Sequence, residues 1–419
     1  MHQMKDSGIE WIGEIPENVN VLRNKYLIKY IKGRLPSEIN TDGAGLPYVG
    51  ASDLENMSGD CAYTSYTTDA TLPVCEEDDV LILWDGARAG LIGTNHKGAI
   101  SSTIVNAIPN DSILKRFWYW YLKAFQNHLY KCVNGTTIPH MNTDYIEDIA
   151  MLDWSMDDQI KIAKYLDGKR AEIDALIAAK EKTNALLKDR RQSIIYEAVT
   201  KGLNPDAPMK DSGIEWIGQL PAHWAVERLK PHVEFNPKTE IPEYEEDDSV
   251  SFIPMDCLRR GVHTSQTVNY SKVKSGYVDF AVGDILMAKV TPCLENGNLA
   301  IACNLIDGVG FGSTEINVIR CKSICREYLF YILQCKTYIE RAVADMYGVA
   351  GLKRLNPSFI PNTKYPMPSV EEQQTIAVYL NDTCGEIDGL ISANEKTIEK
   401  LKEYRQSIIY EAVTGKVEV

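Results

Sequence analysis

Gly308-Val309-Gly310-Phe311-Gly312 imitates the glycine run that cradles a nucleotide's phosphates. Such a run works where it opens a helix, whose first N–H groups hold the anion. Here it leads into Ser313-Thr314-Glu315-Ile316-Asn317-Val318-Ile319-Arg320, which reads as a strand, so the anion site is missing. Asn-Pro occurs at 204–205, 236–237 and 356–357. None runs on to a second proline and an aromatic, the loop that amino-methyltransferases set against a flipped base. Glu76-Glu77-Asp78-Asp79 and the acidic stretch at 243–248 offer oxygen ligands, but such runs read as solvated loops. Seven histidines are scattered without ligand spacing, and GxxxxGK[ST], HExxH and GxSxG are all absent. The sequence predicts no catalytic residue and no metal ligand, and points to recognition instead.

The elements that must position recognising residues come in pairs. Residues 4–16 read MKDSGIEWIGEIP and residues 209–221 read MKDSGIEWIGQLP, identical at eleven of thirteen positions. The word RQSIIYEAVT stands at 191–200 and again, unchanged, at 405–414. The chain is a tandem duplication with conserved ends and diverged middles. Like ends imply like partners, and unlike middles imply that each copy reads something different.

Each copy closes on a long helix of about 38 residues, roughly 57 Å at 1.5 Å per residue. Leu166, Ile173, Lys180, Leu187 and Ile194 fall on one heptad seam, and Leu380, Ile387, Asn394, Leu401 and Ile408 on its duplicate. That spacing predicts coiled-coil packing, with Lys180 and Asn394 as polar interruptions that fix register. An ordinary buried helix with one snorkelling polar residue fits the same spacing.

The middles read as strands, turns and a short helix. Asp79-Val80-Leu81-Ile82-Leu83-Trp84 and Asp284-Ile285-Leu286-Met287-Ala288 are buried-strand runs. Leu46 to Leu54 pairs with Ser251 to Leu258, and Gly98 to Thr103 with Gly310 to Glu315. The aromatic runs Phe117 to Leu122 and Tyr328 to Leu333 read as helical core rather than base-stacking platforms. A glycine-containing loop follows in each copy, Asn134 to His140 and Tyr347 to Arg354.

At 419 residues the chain has room for two to four domains, and it contains no apolar run of membrane-spanning length. No export signal precedes Met4, and ten cysteines without CxxC pairs predict buried free thiols in a reducing cytosol. Cys321 and Cys325 are expected to share one element. Net charge is −14 and no segment is uniformly basic, so a nucleic-acid partner would need local cationic clusters or charge from another subunit.

The chain resembles the specificity subunit of Type I restriction–modification systems over essentially its full length. The resemblance rests on DSGIEWIG followed, one residue on, by an apolar residue and proline. It rests too on Gln-x-x-Ile-Ala-x-Tyr-Leu at the start of each long helix (Gln159 to Leu166, Gln373 to Leu380) and on the RQSIIYEAVT tail. Two departures lie in copy one: Asn18-Val19 stands where copy two has His223-Trp224, and Met156-Asp157-Asp158 where copy two has Val370-Glu371-Glu372.

The resemblance implies an α+β chain of two mixed α/β target-recognition domains, separated by two long antiparallel spacer helices in pseudo-two-fold symmetry. The expected parts are residues 1–156 (N-terminal segment and first recognition domain), 157–204 (central helix), 205–370 (repeat segment and second recognition domain) and 371–419 (C-terminal helix). The N-terminal word is expected to dock near the end of the second helix. Each recognition domain would read one half of a split, asymmetric double-stranded DNA sequence, in defence against foreign DNA. Two methyltransferase subunits would bind the conserved parts, and two restriction subunits can add ATP-driven translocation and cleavage. S-adenosylmethionine, ATP and Mg belong to those partners, with no cofactor in this chain and a cytoplasmic setting.

Base reading needs polar or cationic side chains on loops that enter a groove. In the first head these are Arg88, with Ser101, Ser102, Thr136, Thr137 and His140, and Lys32 and Arg34 for phosphates. In the second they are Lys289 and Thr291, with Arg259, Arg260, Lys353 and Arg354. The competing readings are a coiled-coil scaffold, and an orphan or inactive specificity subunit without a working partner.

Overall fold

The computed structural model describes residues 3–55, 63–131, 133–134, 139–348, 351 and 353–419. It divides into two compact units, and neither is one copy of the duplication. Unit 1 is Met1–Lys180 with Glu395–Val419, and unit 2 is Glu181–Asn394. Each unit is a mixed α/β head joined by part of both long helices, α1 (Met156–Lys201) and α2 (Val370–Thr414).

The two helices start and stop on the same signals. The hydroxyls of Ser155 and Ser369 accept from the N–H of Asp158 and Glu372, each at 3.2 Å, as N-caps do. Asp157, Asp158, Glu371 and Glu372 fill the first turns, where negative charge suits the helix dipole. Gly202 and Gly415 follow the helix ends at φ +74°, a left-handed stop that glycine adopts without strain. At 46 and 45 residues the helices exceed the expected length. Their capped, polar first turns carry no heptad signal to be counted.

In unit 2 the helices run antiparallel. Asn184 bonds Asn394, and seven residues further along α1 the Arg191 Nε lies 3.0 Å from Asp388 Oδ1. In unit 1, Ile173 and Ile177 pack with Ile398 and Leu401, and Arg405 Nη1 lies 2.6 Å from Asp174 Oδ1. Asp174 and Asp388 are 214 residues apart, as are Arg191 and Arg405, so one duplicated ion pair recurs. The seam is buried at Leu166, Ile173, Ile194, Leu380, Ile387 and Ile408. It is half-buried at Lys180, Leu187, Asn394 and Leu401.

Each head holds two four-stranded sheets with matched strand orders. One sheet runs Ile28–Lys32, Ile104–Pro109, Leu81–Leu83, Ile92–Gly93 in unit 1. Unit 2 has Val233–Phe235, Ile316–Cys321, Ile285–Ala288, Leu299–Ile301 in the same places. The other sheet pairs Gly98–Ile100 parallel to Leu46–Val49, and Val309–Gly312 parallel to Ser249–Ile253. The glycine run at 308–312 thus largely forms a strand. A Cβ on Gly310 would come 2.5 Å from the Phe280 ring, so that glycine makes room for an aromatic side chain.

The aromatic helices are core: Phe117 to Leu122 are each at most 1% exposed, as are Tyr328 and Leu329. Burying side chains of this size contributes about 1.5–3 kcal/mol each. Three sequence expectations are corrected. Asp79 is no solvated loop acid but 7% exposed, because Lys115 at 2.7 Å and the Asn106 amide at 2.7 Å compensate its charge. Among the described cysteines Cys75, Cys335 and Cys384 are buried, Cys303 is exposed and the rest are intermediate. Cys321 closes a strand and Cys325 caps the following helix, so they do not share an element.

The duplicated words bind one another. The Tyr410 hydroxyl donates to Ile12 O at 2.7 Å in unit 1, and the Tyr196 hydroxyl to Ile217 O at 3.2 Å in unit 2. The glutamine that opens each helix motif stitches helix to head. Gln159 accepts from Leu114 N and Gln373 from Cys325 N, both at 2.8 Å. The tryptophan missing beside Val19 is replaced from elsewhere in the chain. Trp224 lies over Gly202 in unit 2, whereas in unit 1 Trp154 lies over Gly415 and donates to Val413 O at 2.9 Å.

Candidate nucleic-acid interface

In both heads the loop after the central strand is pinned by the same backbone bonds. In unit 1, Trp84 N donates to Thr103 O at 2.7 Å, Gly86 N to Pro139 O at 2.9 Å and Met141 N to Trp84 O at 2.9 Å. In unit 2, Lys289 N donates to Glu315 O at 3.0 Å, Thr291 N to Lys353 O at 3.0 Å and Leu355 N to Lys289 O at 2.7 Å. Isolated bridges join Asp85 to His140 and Val290 to Arg354. These bonds match residue by residue: Thr103 corresponds to Glu315, Asp85 to Val290, and His140 to Arg354.

The side chains on those frames differ. Asp85 gathers the cluster of unit 1, with Lys32 Nζ at 2.9 Å and His140 Nδ1 at 2.6 Å. Burial by itself pushes the Asp85 carboxyl up, but the bonds from His140 and Lys32 outweigh it and hold the group below the usual carboxylate range. Arg88 stands exposed in the same loop, at the turn where Leu91 N donates to its carbonyl at 3.1 Å. Gly33, between Lys32 and Arg34, lies against the carbonyls of Ile100 and Ser101 with no room for a Cβ. That close approach sets Arg34, which is exposed, beside the 98–103 segment. Ser101 is 6% exposed and shares its hydroxyl with Thr103 at 2.8 Å, so it faces inward, while Ser102 is half-buried. Thr136 and Thr137 lie outside the described residues.

In unit 2, Lys289, Thr291, Lys353 and Arg354 come together. The Thr291 hydroxyl accepts from Lys353 N at 2.9 Å and donates to Gly351 O at 2.8 Å. Arg354 grips Glu315 in a two-point pair, Nε at 3.1 Å and Nη2 at 2.6 Å. That hydrogen bonding holds Glu315 below its ordinary range. Arg259 and Arg260 sit on a separate turn, tied by Gly261 N to Leu299 O at 2.8 Å. The Arg260 guanidinium lies over Gly297, and burial and then the nearby Arg191 push it below the usual guanidinium range.

The sequence reading selected cations and missed the carboxylates that aim them, Asp85 and Glu315. The one available signal was that both sit in the aligned segments around the central strand. No group of His, Cys, Asp and Glu among the described residues could hold a metal. No helix among them is long and apolar enough to cross a membrane.

The model of the Type I restriction modification DNA specificity domain matches residues 16–187. The Type I restriction enzyme MjaVIII specificity subunit of Methanocaldococcus jannaschii is 26% identical over 424 residues, which cover 97% of this chain and 94% of that one. The chain is similar over nearly its full length to a Type I restriction–modification specificity subunit. A second specificity subunit, EcoAI of Escherichia coli, is 33% identical over 195 residues, 45% of this chain and 32% of its own. A chain solved in a study of assembly and conformational transition of the type I R-M system shares the fold. Its TM-score is 0.71 over 96% of this chain and 99% of that chain, at 16% identity.

Proposed function

We propose that this chain is a specificity subunit that reads a bipartite, asymmetric DNA target, one half with each head. The carrying observation is the pair of matched loop frames with unlike side chains: Asp85, Arg88 and His140 on one, Lys289, Thr291 and Arg354 on the other. Equivalent frames give both heads the same approach to a groove, and unlike donors and acceptors give them different bases. Lys32, Arg34 and Lys353 supply phosphate contacts beside the readers.

In this reading α1 and α2 form an antiparallel coiled-coil spacer in a pseudo-two-fold arrangement that sets the distance between half-sites. The duplicated ends present two equivalent docking places, which suit two copies of one methyltransferase subunit. Restriction subunits join the same complex when it cleaves. S-adenosylmethionine, ATP and Mg reside in those partners, and the methyltransferases supply much of the phosphate-neutralising charge that a chain of net −14 lacks.

Long-read methylation mapping of host DNA, with and without this gene beside its methyltransferase gene, tests the reading. The expected result is a split motif carrying methyladenine in both halves, lost on deletion. With an active methyltransferase present, an unsplit motif or one that survives deletion refutes it.

A further inference from the structure

In unit 1 a recess of about 170 Å³ lies where the aromatic helix of the head crosses α1 and α2. Its wall carries Lys123, Arg170 and Arg405, with Tyr119, Trp120 and Gln406 around them. Asp174 bonds Arg170 at 3.1 Å and Arg405 at 2.6 Å, so one carboxylate serves two guanidinium groups. The Lys123 ammonium has the neutral Gln126 amide at 2.9 Å. With the Arg116–Asp167 pair beside Trp120 included, four cations and two anions among the described residues leave the recess with a surplus of positive charge.

The duplication supplies an internal control. Trp120 bonds Asp167 and Tyr331 bonds Asn381, each at 2.9 Å, and residues 167 and 381 are 214 apart. Trp120 therefore corresponds to Tyr331, and Lys123, three residues on, to Gln334. Arg170 corresponds to Cys384, and Arg405 to Arg191. In unit 2, Gln334 accepts from Arg191 at 3.2 Å and Asp388 pairs with the same arginine, while Arg260 approaches from a loop. The junction of head and helices thus folds with neutral residues where unit 1 has Lys123 and Arg170. Those two cations are not required by the shared architecture.

We infer that Lys123, Arg170 and Arg405 form an anion site for one phosphoryl group. The recess is smaller than the roughly 300–1,000 Å³ pockets that enclose a whole ligand of cofactor size. It suits a single tetrahedral oxyanion held by charge-assisted hydrogen bonds. The state of Lys123 agrees: burial, then the charges of Arg170 and Arg405, push its ammonium down to about 8, the environment a bound anion relieves. The phosphoryl group belongs either to a nucleic-acid backbone or to free phosphate.

Calorimetric titration of the full chain with inorganic phosphate tests the site. The expected result is one saturable site that Lys123→Gln, the residue of unit 2, weakens about tenfold or more, while Lys123→Arg stays near the wild type. Affinity for non-specific duplex DNA against salt then separates the sources. If a backbone phosphate occupies the recess, Lys123→Gln lowers the slope of log affinity on log salt by about one. An unchanged slope with lost phosphate binding assigns the recess to free phosphate. Absence of saturable phosphate binding together with an unchanged slope overturns the proposal, as does a Lys123→Gln chain that binds phosphate like the wild type.

Discussion

Replacing Asn184 and Asn394 by leucine, singly and together, tests whether the polar contact between α1 and α2 in unit 2 is a desolvated pair. Asn184 is 6% exposed, and its Oδ1 accepts from Asn394 Nδ2 at 2.8 Å. Each single leucine adds apolar burial worth about 1.5–3 kcal/mol when complete, but takes from the opposite amide its hydrogen bond across the helices. A buried polar group without its partner costs about 1–3 kcal/mol. Asn394 is half-buried, so water relieves part of that cost on its side. The double variant removes this hydrogen bond without leaving either of its two amides behind. Its stability should therefore exceed the sum of the two single effects by about 2 kcal/mol. The assay is urea unfolding followed by loss of helical circular dichroism in all four proteins of the cycle. Additivity within about 0.5 kcal/mol would refute the reasoning, because amides already satisfied by water lose nothing when one is removed.

Three further outcomes are expected. Gly33→Ala drives a Cβ into the carbonyls of Ile100 and Ser101, which cannot swing aside. It should cost up to about 3 kcal/mol and raise hydrogen exchange around 98–106 with unit 2 unchanged; normal protection there counts against it. Asp85→Asn removes a carboxylate held below its ordinary range, so the stability it contributes is present above the unfolded value of about 4 and fades as pH falls through the folded one. With Lys32 half exposed, the loss at neutral pH is about 1 kcal/mol, and denaturation curves of variant and wild type should converge once the pH lies below the folded value. Tyr410→Phe removes the donor to Ile12 O and should speed proteolysis of the N-terminal word. Tyr196→Phe, with its longer bond to Ile217 O, should act more weakly, and a reversed order would contradict this account.

The duplication, the two long helices and the strands around Leu81 and Ile285 were legible because each leaves a period or a repeat in the chain. Asn184 was not legible. The heptad count placed Asn394 on a seam, but its partner comes from a helix running the other way, and one helix's periodicity says nothing of the opposing register. Asp85 and Glu315 escaped for a different reason. Recognition was sought among cations, while the carboxylates that hold them become visible only when Lys32, His140 and Arg354 converge from distant segments. Trp154 shows a third limit, since a tryptophan absent at one position is supplied from another part of the chain. Ser101 shows a fourth: its polar side chain turns inward because a neighbouring threonine satisfies it.

The loop frames are held by main-chain N–H and carbonyl groups, which every residue except proline can supply in full. A substitution at Asp85, His140, Val290 or Arg354 therefore alters the chemistry displayed while the main-chain bonds of the frame stay in place. In the proposed reading, stability and base preference are then only loosely coupled at these positions, because the side-chain pairs lost there contribute about 1 kcal/mol. A lineage can wander through new preferences by single changes, each passing through a folded intermediate, and the heads can diverge while the words that dock them stay nearly fixed.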